Sequence, residues 1–563
     1  MEELTYKSSR AQVSRAAIQR LHTSMRHLFN RGSYKPLGIS GEAMIKSLLA
    51  LKPEIYGSIA DPERLELNGL LYIFQRLPQG IEECRYIKLI SREGFQNGQF
   101  QVEIPLKRRR NCYRIDREQM YIEMTRGRSD IYDVLTHLTF LYIEAEKIRR
   151  NAIDGKDRKK RDWELLEALI YKIENGEEFN ADVASTYLST LIGRTYQETL
   201  DAIHQFESAE KVNSLFKIIY WLGRHAIEEH LDQNDRIITF SPTLREKLGH
   251  HIFGERWAQN IKSLLEEKNL LHRPIHIISS NLHSVMNCFY SYSSLSDKIK
   301  ETNLEEFAEH LSLDENEHLR NAVRKFALKH GMYELFDNTG TNIGVQIFDL
   351  ARLDCEILPN ELNCNFNGDD NEKVIIVMDY AFGEQAYECM DELLKPYTKD
   401  DQKIKLNIQS INIMGKAGIL EGRKGDIMIP TAHIFEGSAD NYPFENSFTS
   451  SDFKNNGLGV YQGPMITVLG TSLQNRDILR YFTKSSWRAI GLEMEGAHYQ
   501  KAIQAASKIR HSIKEDIKLR YAYYASDNPL ETGSTLASGG LGVGGVKPTY
   551  MITVAIINGI MQQ

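Results

Sequence analysis

Two segments near the C-terminus place acids where they could act on a sugar and a base. Gly491-Leu492-Glu493-Met494-Glu495-Gly496 sets two carboxylates about one methionine at a predicted helix start. Tyr523-Tyr524-Ala525-Ser526-Asp527-Asn528-Pro529 reads as a strand ending in Ser-Asp. A carboxylate can accept hydrogen bonds from sugar hydroxyls, and an acid kept protonated can donate to a leaving base. Such parts serve cleavage of a nucleoside's glycosidic bond. Alone, the first segment is as well explained as a helix N-terminus, where acids suit the macrodipole and methionine fills a core. The Ser-Asp strand end favours a site.

The elements that must position these residues form an alternating pattern. After the polar stretch Asn363 to Lys373, the run Val374-Ile375-Ile376-Val377-Met378 predicts a strand covered on both faces, and a helix pattern follows through Ala386, Met390, Leu393 and Leu394. Further strands are expected at Leu406 to Met414, after the Gly425-Asp426 turn, at Met465 to Leu469 and at Leu519 to Ala525, with helices at Arg476 to Phe482 and Ala497 to Ile509. This alternation predicts an α/β domain with a central mixed sheet flanked by helices. Ligands in such sheets sit at the carboxyl ends of strands. Asp379 to Gly383, with Phe382 and Gly383 at its end, then Gly415 to Gly418, Gly470-Thr471 and Ser526-Asp527 all follow predicted strands and are expected to line one cleft.

The order of these motifs resembles the nucleoside phosphorylase and nucleosidase superfamily. Ile413-Met414-Gly415-Lys416-Ala417-Gly418-Ile419-Leu420, Lys424 to Ile429, Gly491 to Gly496 and Ala525 to Pro529 carry the likeness, and Ser526 to Leu530 is most similar to the catalytic domain of AMP nucleosidase. The resemblance covers roughly Asp337 to the C-terminus. It implies a general acid at Asp527 and a ribose-hydroxyl acceptor at Glu495, with Met494 against the sugar and Glu493 buttressing or touching it. Ser526, Gly415, Lys416, Phe382, Gly383, Gly470 and Thr471 complete the expected substrate contacts. Ile413 stands where phosphorylases of the family carry a phosphate-binding arginine, so water is the expected nucleophile. Asp379 or Glu384 is expected to position it, with no basis for choosing between them. Lys416 reads equally as an anion contact or as plain surface charge.

The expected activity is therefore hydrolysis of a purine nucleotide or nucleoside in the manner of AMP nucleosidase. The alternatives are a phosphate-using phosphorylase and a nucleotide-binding sensor with weak chemistry. The family implies a homo-oligomer.

The chain ahead of this domain reads as mainly helical. Apolar residues from Val13 to Leu28, Ile131 to Ile148, Trp163 to Ile173 and Leu215 to Ile227 recur at helical spacing, whereas Phe100, Val102 and Ile104 alternate like a half-buried strand. The expected division is residues 1–330, helical with a small β insertion and by position regulatory or oligomerising, and residues 331–563, catalytic. A chain of 563 residues exceeds one ordinary core.

Composition excludes several classes. A formal charge of −7 argues against a nucleic-acid binder, and the basic runs Lys107 to Arg110 and Arg158 to Arg161 read first as solvated charge. No apolar run is long enough to cross a bilayer and the N-terminus lacks a signal pattern, so a cytoplasmic protein without membrane partner is expected. Cys84, Cys112, Cys288, Cys355, Cys364 and Cys389 show no metal or disulfide spacing. His225 and His230 lie five apart and do not share a helix face, so no metal is expected. Gly540 to Gly545 fits a dinucleotide pattern formally, but without a preceding strand it reads as a loop and a candidate lid; no cofactor is expected.

Overall fold

Ser9 and Gln12 form a capping box that opens the helix Arg10–Arg31, and Gly32, at φ +85°, ends it. Its buried stripe is Ala17, Ile18, Leu21, Met25 and Leu28, as the spacing predicts. The other expected stripes lie in helices Gly127–Ala152, Arg161–Glu174 and Leu215–Asp232. The computed structural model describes residues 9–295, 303–353, 358–363, 372–438, 440–453, 457–531 and 542–563. Packing divides the chain into Met1–His250 with Ser472–Ile478, and His251–Thr471 with Leu479–Gln563.

The first unit carries more sheet than its sequence suggests. Strands β1 (Ser33–Tyr34), β2 (Tyr86–Ile90), β3 (Val102–Glu103), β4 (Cys112–Arg114), β5 (Gln119–Glu123) and β6 (Ile237–Phe240) pair in the order β1-β6-β2-β5-β4-β3. The central β6, β2 and β5 are parallel; β3 and β4 lie in the connection from β2 to β5, and a long helical connection joins β5 to β6, so the sheet is the unit's frame and not an insertion. Phe100, Val102 and Ile104 are exposed, at 39, 45 and 45%, because β3 is a two-residue edge strand. In the basic run Lys107 to Arg110, Lys107 and Arg109 are exposed as expected, but Arg108 and Arg110 are not solvated. Arg110 is buried against Asp130 at 2.7 Å, and Arg108 holds Asp133 through two bonds of 2.9 and 3.0 Å.

The second unit begins earlier than residue 331. Strand β7 (Ile275–Ser279) is buried at all five positions inside the larger sheet. The remaining strands are β8 (Met332–Leu335), β9 (Val345–Asp349), β10 (Val374–Met378), β11 (Tyr397–Lys399), β12 (Gln402–Ile404), β13 (Ile408–Ile419), β14 (Ile427–Phe435), β15 (Asn441–Pro443), β16 (Val460–Thr467), β17 (Gly491–Glu493) and β18 (Lys518–Asp527). Apart from the β11–β12 hairpin they run β15-β14-β16-β17-β13-β7-β10-β9-β8, with β18 bridging β13 and β14. Pairing from β14 through β16, β17, β13 and β18 thus returns to β14.

Two cores cover this sheet. In β10, Val374, Ile376 and Met378 face the helix Gln385–Leu393, while Ile375 and Val377 face the core shared with helices Leu282–Leu295 and Val546–Met561. Alternate residues of an apolar strand must face opposite sides, so a run apolar throughout demands both covers. Among the described residues, no helix is long and apolar enough to cross a membrane. Cys84, Cys112, Cys288 and Cys389 are buried free thiols. Cys355, Cys364, Gly540 and Leu541 lie outside the described residues, so the glycine pattern is seen only as the short turn Gly542–Gly545.

Candidate functional site

Strand β13 organises the site. On one edge it pairs with β7 as far as Ile413 and with β17 from Gly418, which leaves Met414 to Ala417 unpaired there; on the other edge it pairs with β18 from Ser410 to Gly418. Gly415 to Gly418 therefore belongs to the strand and not to a loop. Gly415 is needed because Tyr523, its cross-strand partner, brings its ring to 3.0 Å from where a Cβ would stand. Lys416 points to the exposed side, and Ile413 is buried in the core.

The β13–β18 register breaks at the functional end. Ala417 faces Ala525, but Gly418 faces Asp527, so Ser526 is the bulged residue. The Ser526 hydroxyl lies 2.7 Å from Asp527 Oδ1, to which it donates, and 3.2 Å from the Ala417 carbonyl. Asp527 is fully buried, and its Oδ2 has no hydrogen-bond partner among the described residues. Burial pushes its carboxyl above the ordinary aspartate range, against the opposing pull of Ser526, Lys424 and Lys416. A carboxyl so placed takes up a proton more readily than an ordinary aspartate. Asn528 anchors the strand end by donating to the Gly422 carbonyl at 3.1 Å.

Gly418 also pairs with Leu492 of β17, which puts Asp527 and the Glu-Met-Glu segment two strand spacings apart, about 10 Å. The segment's two acids differ sharply. Glu493 is buried with both oxygens engaged: Oε1 accepts from Thr467 Oγ1 at 2.5 Å, and Oε2 accepts from the backbone N–H groups of Glu495 and Gly496. Thr467 Oγ1 in turn accepts from Ala497 N at 2.8 Å. Glu493 and Thr467 thus cap the helix Gly496–Gln504, which is why an acid stands before it. Burial pushes the Glu493 carboxyl up, but nearby His433, Thr467 and the Gly496 N–H outweigh it and hold it below the usual range. Glu493 thereby fixes the helix start beside Met494 and Glu495.

Met494 and Glu495 are half-buried and leave β17 toward the gap in β13. Glu495 Oε1 accepts from Gly383 N at 2.9 Å, joining the first loop to the second motif. Gly383 sits at φ +55°, a turn conformation that suits glycine. Phe382, beside it, is half-buried and donates its N–H to Gln385 Oε1 at 3.2 Å. Gly470 and Thr471 stand half-buried just beyond β16.

His433, Thr467 and Tyr523 were not singled out in the sequence. His433 is fully buried, with Nδ1 3.5 Å from Glu493 Oε1 and its ring stacked on Phe444 at 5.5 Å. It occupies the space a side chain at Gly496 would need, since a Cβ there would meet Nδ1 at 2.2 Å. A histidine inside an apolar strand was the available signal; its partner lies 60 residues on and nothing local names it. Among the described residues, no group of three or more histidines, cysteines or acids is placed to hold a metal ion.

The mixed sheet thus brings a buried carboxyl with a raised proton affinity, Asp527 at the end of β18, and a half-buried one, Glu495 just beyond β17, to the same end of the sheet, where ligands of α/β sheets bind. The chain belongs to DUF6909, a family of unknown function, whose model matches residues 42–315 and 303–562. No curated protein matches it. Solved structures that resemble it include a futalosine hydrolase mutant of Helicobacter pylori strain 26695, at 11% identity over 52% of this chain and 98% of that one, TM-score 0.29. A 5′-methylthioadenosine/S-adenosyl homocysteine nucleosidase of Campylobacter jejuni matches at 10% identity over 52% of this chain and all of that one, TM-score 0.32. Isoform 2 of uridine phosphorylase from Schistosoma mansoni, in complex with citrate, matches at 9% identity over 50% and 85%, TM-score 0.28. By their names these neighbours are a hydrolase, a nucleosidase and a phosphorylase.

Proposed function

We propose that the chain is a purine N-glycosidase that hydrolyses the glycosidic bond of a nucleotide or nucleoside, AMP included, to free base and the ribose or ribose phosphate. The observation that carries this reading is the Asp527 carboxyl: buried, held at Oδ1 by Ser526 and unpartnered at Oδ2. Bond cleavage moves negative charge onto the purine and positive charge onto the sugar. Asp527 donates its proton to the five-membered ring of the base, a role worth roughly 10²- to 10⁴-fold. Glu495 accepts the ribose hydroxyls and its charge favours the cationic sugar; the Gly383 N–H holds one of its oxygens in place. Met494 packs on the sugar's apolar face.

Water is the proposed nucleophile, since buried Ile413 supplies no cation for phosphate. The same reading takes the N-terminal unit as regulatory or oligomerising and the enzyme as a cytoplasmic homo-oligomer. Chromatography of free base released from adenosine, inosine, guanosine and their 5′-monophosphates, with and without phosphate, tests it. Phosphate-independent release is expected. Release only with phosphate would make the chain a phosphorylase, and no release from any of them would leave a binding protein.

A further inference from the structure

The first unit holds a cavity of about 220 Å³ lined by Leu37, Ile45, Leu49 and Ile143, with Tyr142 and Arg236 on its wall. Its volume is below the roughly 300 to 1,000 Å³ of drug-sized sites, so it suits a smaller molecule. Arg236 is buried, with a relative exposure of 5%. Its Nε and Nη2 donate to Glu229 at 2.7 and 2.6 Å, and the guanidinium lies 4.4 Å over the Tyr142 ring. Nη1 has no acceptor among the described residues, and it is the part of the guanidinium left to face the cavity. The Tyr142 hydroxyl, on a residue only 6% exposed, likewise bonds to no described protein group.

The acids nearby are already engaged. Glu229 is held by Arg236, Glu146 accepts from Arg149 and Arg150 at 2.8 and 3.0 Å, and Asp61 accepts the backbone N–H groups of Glu63 and Arg64. Lys147 spends its ammonium on the Ser58 and Arg64 carbonyls and on Glu144. What the wall still offers is therefore two donors set in apolar surroundings. Donors left open to a largely apolar cavity strengthen the hydrogen bonds of an acceptor that enters it.

We propose that this cavity binds a small amphipathic carboxylate, its acid group on Arg236 Nη1 and the Tyr142 hydroxyl and its apolar body between Leu37, Ile45, Leu49 and Ile143. The site is independent of the proposed glycosidase chemistry. The test is titration of the full chain with 3-phenylpropionate and with 3-phenylpropylamine, followed by calorimetry or saturation-transfer NMR. The carboxylate binds at least about tenfold tighter than the amine, and Tyr142→Phe weakens it by about tenfold, the range of one hydrogen bond to a charged group. Leu49→Trp, which fills the cavity from a half-exposed position, abolishes binding; Ile45→Trp on the same helix serves should that variant not fold. No saturable binding of the carboxylate, equal binding of the amine, or unchanged binding in the filled variants overturns the proposal.

Discussion

Replacing Asp527 by Asn separates the proton from the shape of the side chain. Asn keeps an oxygen for the Ser526 hydroxyl, now 2.7 Å from Oδ1, and puts an amide where the unpartnered Oδ2 stood. If Asp527 is the general acid, the variant loses roughly 10²- to 10⁴-fold in the chemical step, about 2.7 to 5.4 kcal/mol of barrier. Single-turnover release of base measures this directly. The same substitution has a stability signature with a fixed sign. The folded carboxyl is raised, so its proton stabilises the native state fully below the unfolded value near about 3.9, and this is lost as pH rises through the folded value. Above that window wild type carries a buried charge that the Asp527→Asn variant lacks. Thermal melts are therefore expected to show the variant gaining on wild type as pH rises, with the difference vanishing in acid. Turnover near wild type, or an advantage for the variant that grows toward acid pH, would refute the reasoning.

Three further outcomes follow from the second motif. Glu493→Gln keeps the volume but removes the charge that accepts Thr467 and two backbone donors, and roughly 3 to 5 kcal/mol of stability is expected to go with it. Because the folded Glu493 is lowered, wild type's advantage holds above about pH 4.3 and narrows as pH falls through the folded value, which denaturant melts across that range detect. Gly496→Ala drives a methyl to 2.2 Å from His433 Nδ1, and a loss of about 1 to 3 kcal/mol or more is expected in the same melts. Glu495→Gln keeps the Gly383 contact but loses the charge; kcat/KM for ribonucleosides is expected to fall about 10- to 100-fold, with a smaller loss for 2′-deoxy substrates.

Elements with one dominant pattern were legible from sequence. Val374 to Met378 could only be a doubly covered strand, and the long helical stripes had no competing period. Ile275 to Ser279 has the same character as Val374 to Met378, but it is short and surrounded by helices, so nothing local showed that it pairs with β10 and β13 across about a hundred residues or more. Gly415 looked like a turn because glycine usually marks one; here it makes room for a cross-strand ring. Arg108 and Arg110 looked solvated because the aspartates that bury them lie on a helix 20 residues or more further on. Within the site, the motif order was readable and the division of labour was not. Glu493 and Glu495 are both acids beside Met494, and only Thr467 and His433, from two other strands, tell them apart.

That division follows from counting donors. Asp527 and Glu493 are both buried carboxyls, and burial alone would raise both. Glu493 meets a hydroxyl, two backbone N–H groups at the start of a helix and a neighbouring imidazole, enough to keep its charge. Asp527 meets one hydroxyl, that of Ser526, the bulged residue just before the last β13–β18 pair, and its Oδ2 faces no described donor. The two carboxyls are thereby shifted in opposite directions at the same end of one sheet. An acid with both oxygens engaged is suited to fixing structure; one left a donor short holds a proton more readily. On the proposed reading the Ser526 bulge sets the proton donor in place, and a variant that restored regular β13–β18 pairing is expected to lose activity even with Asp527 intact.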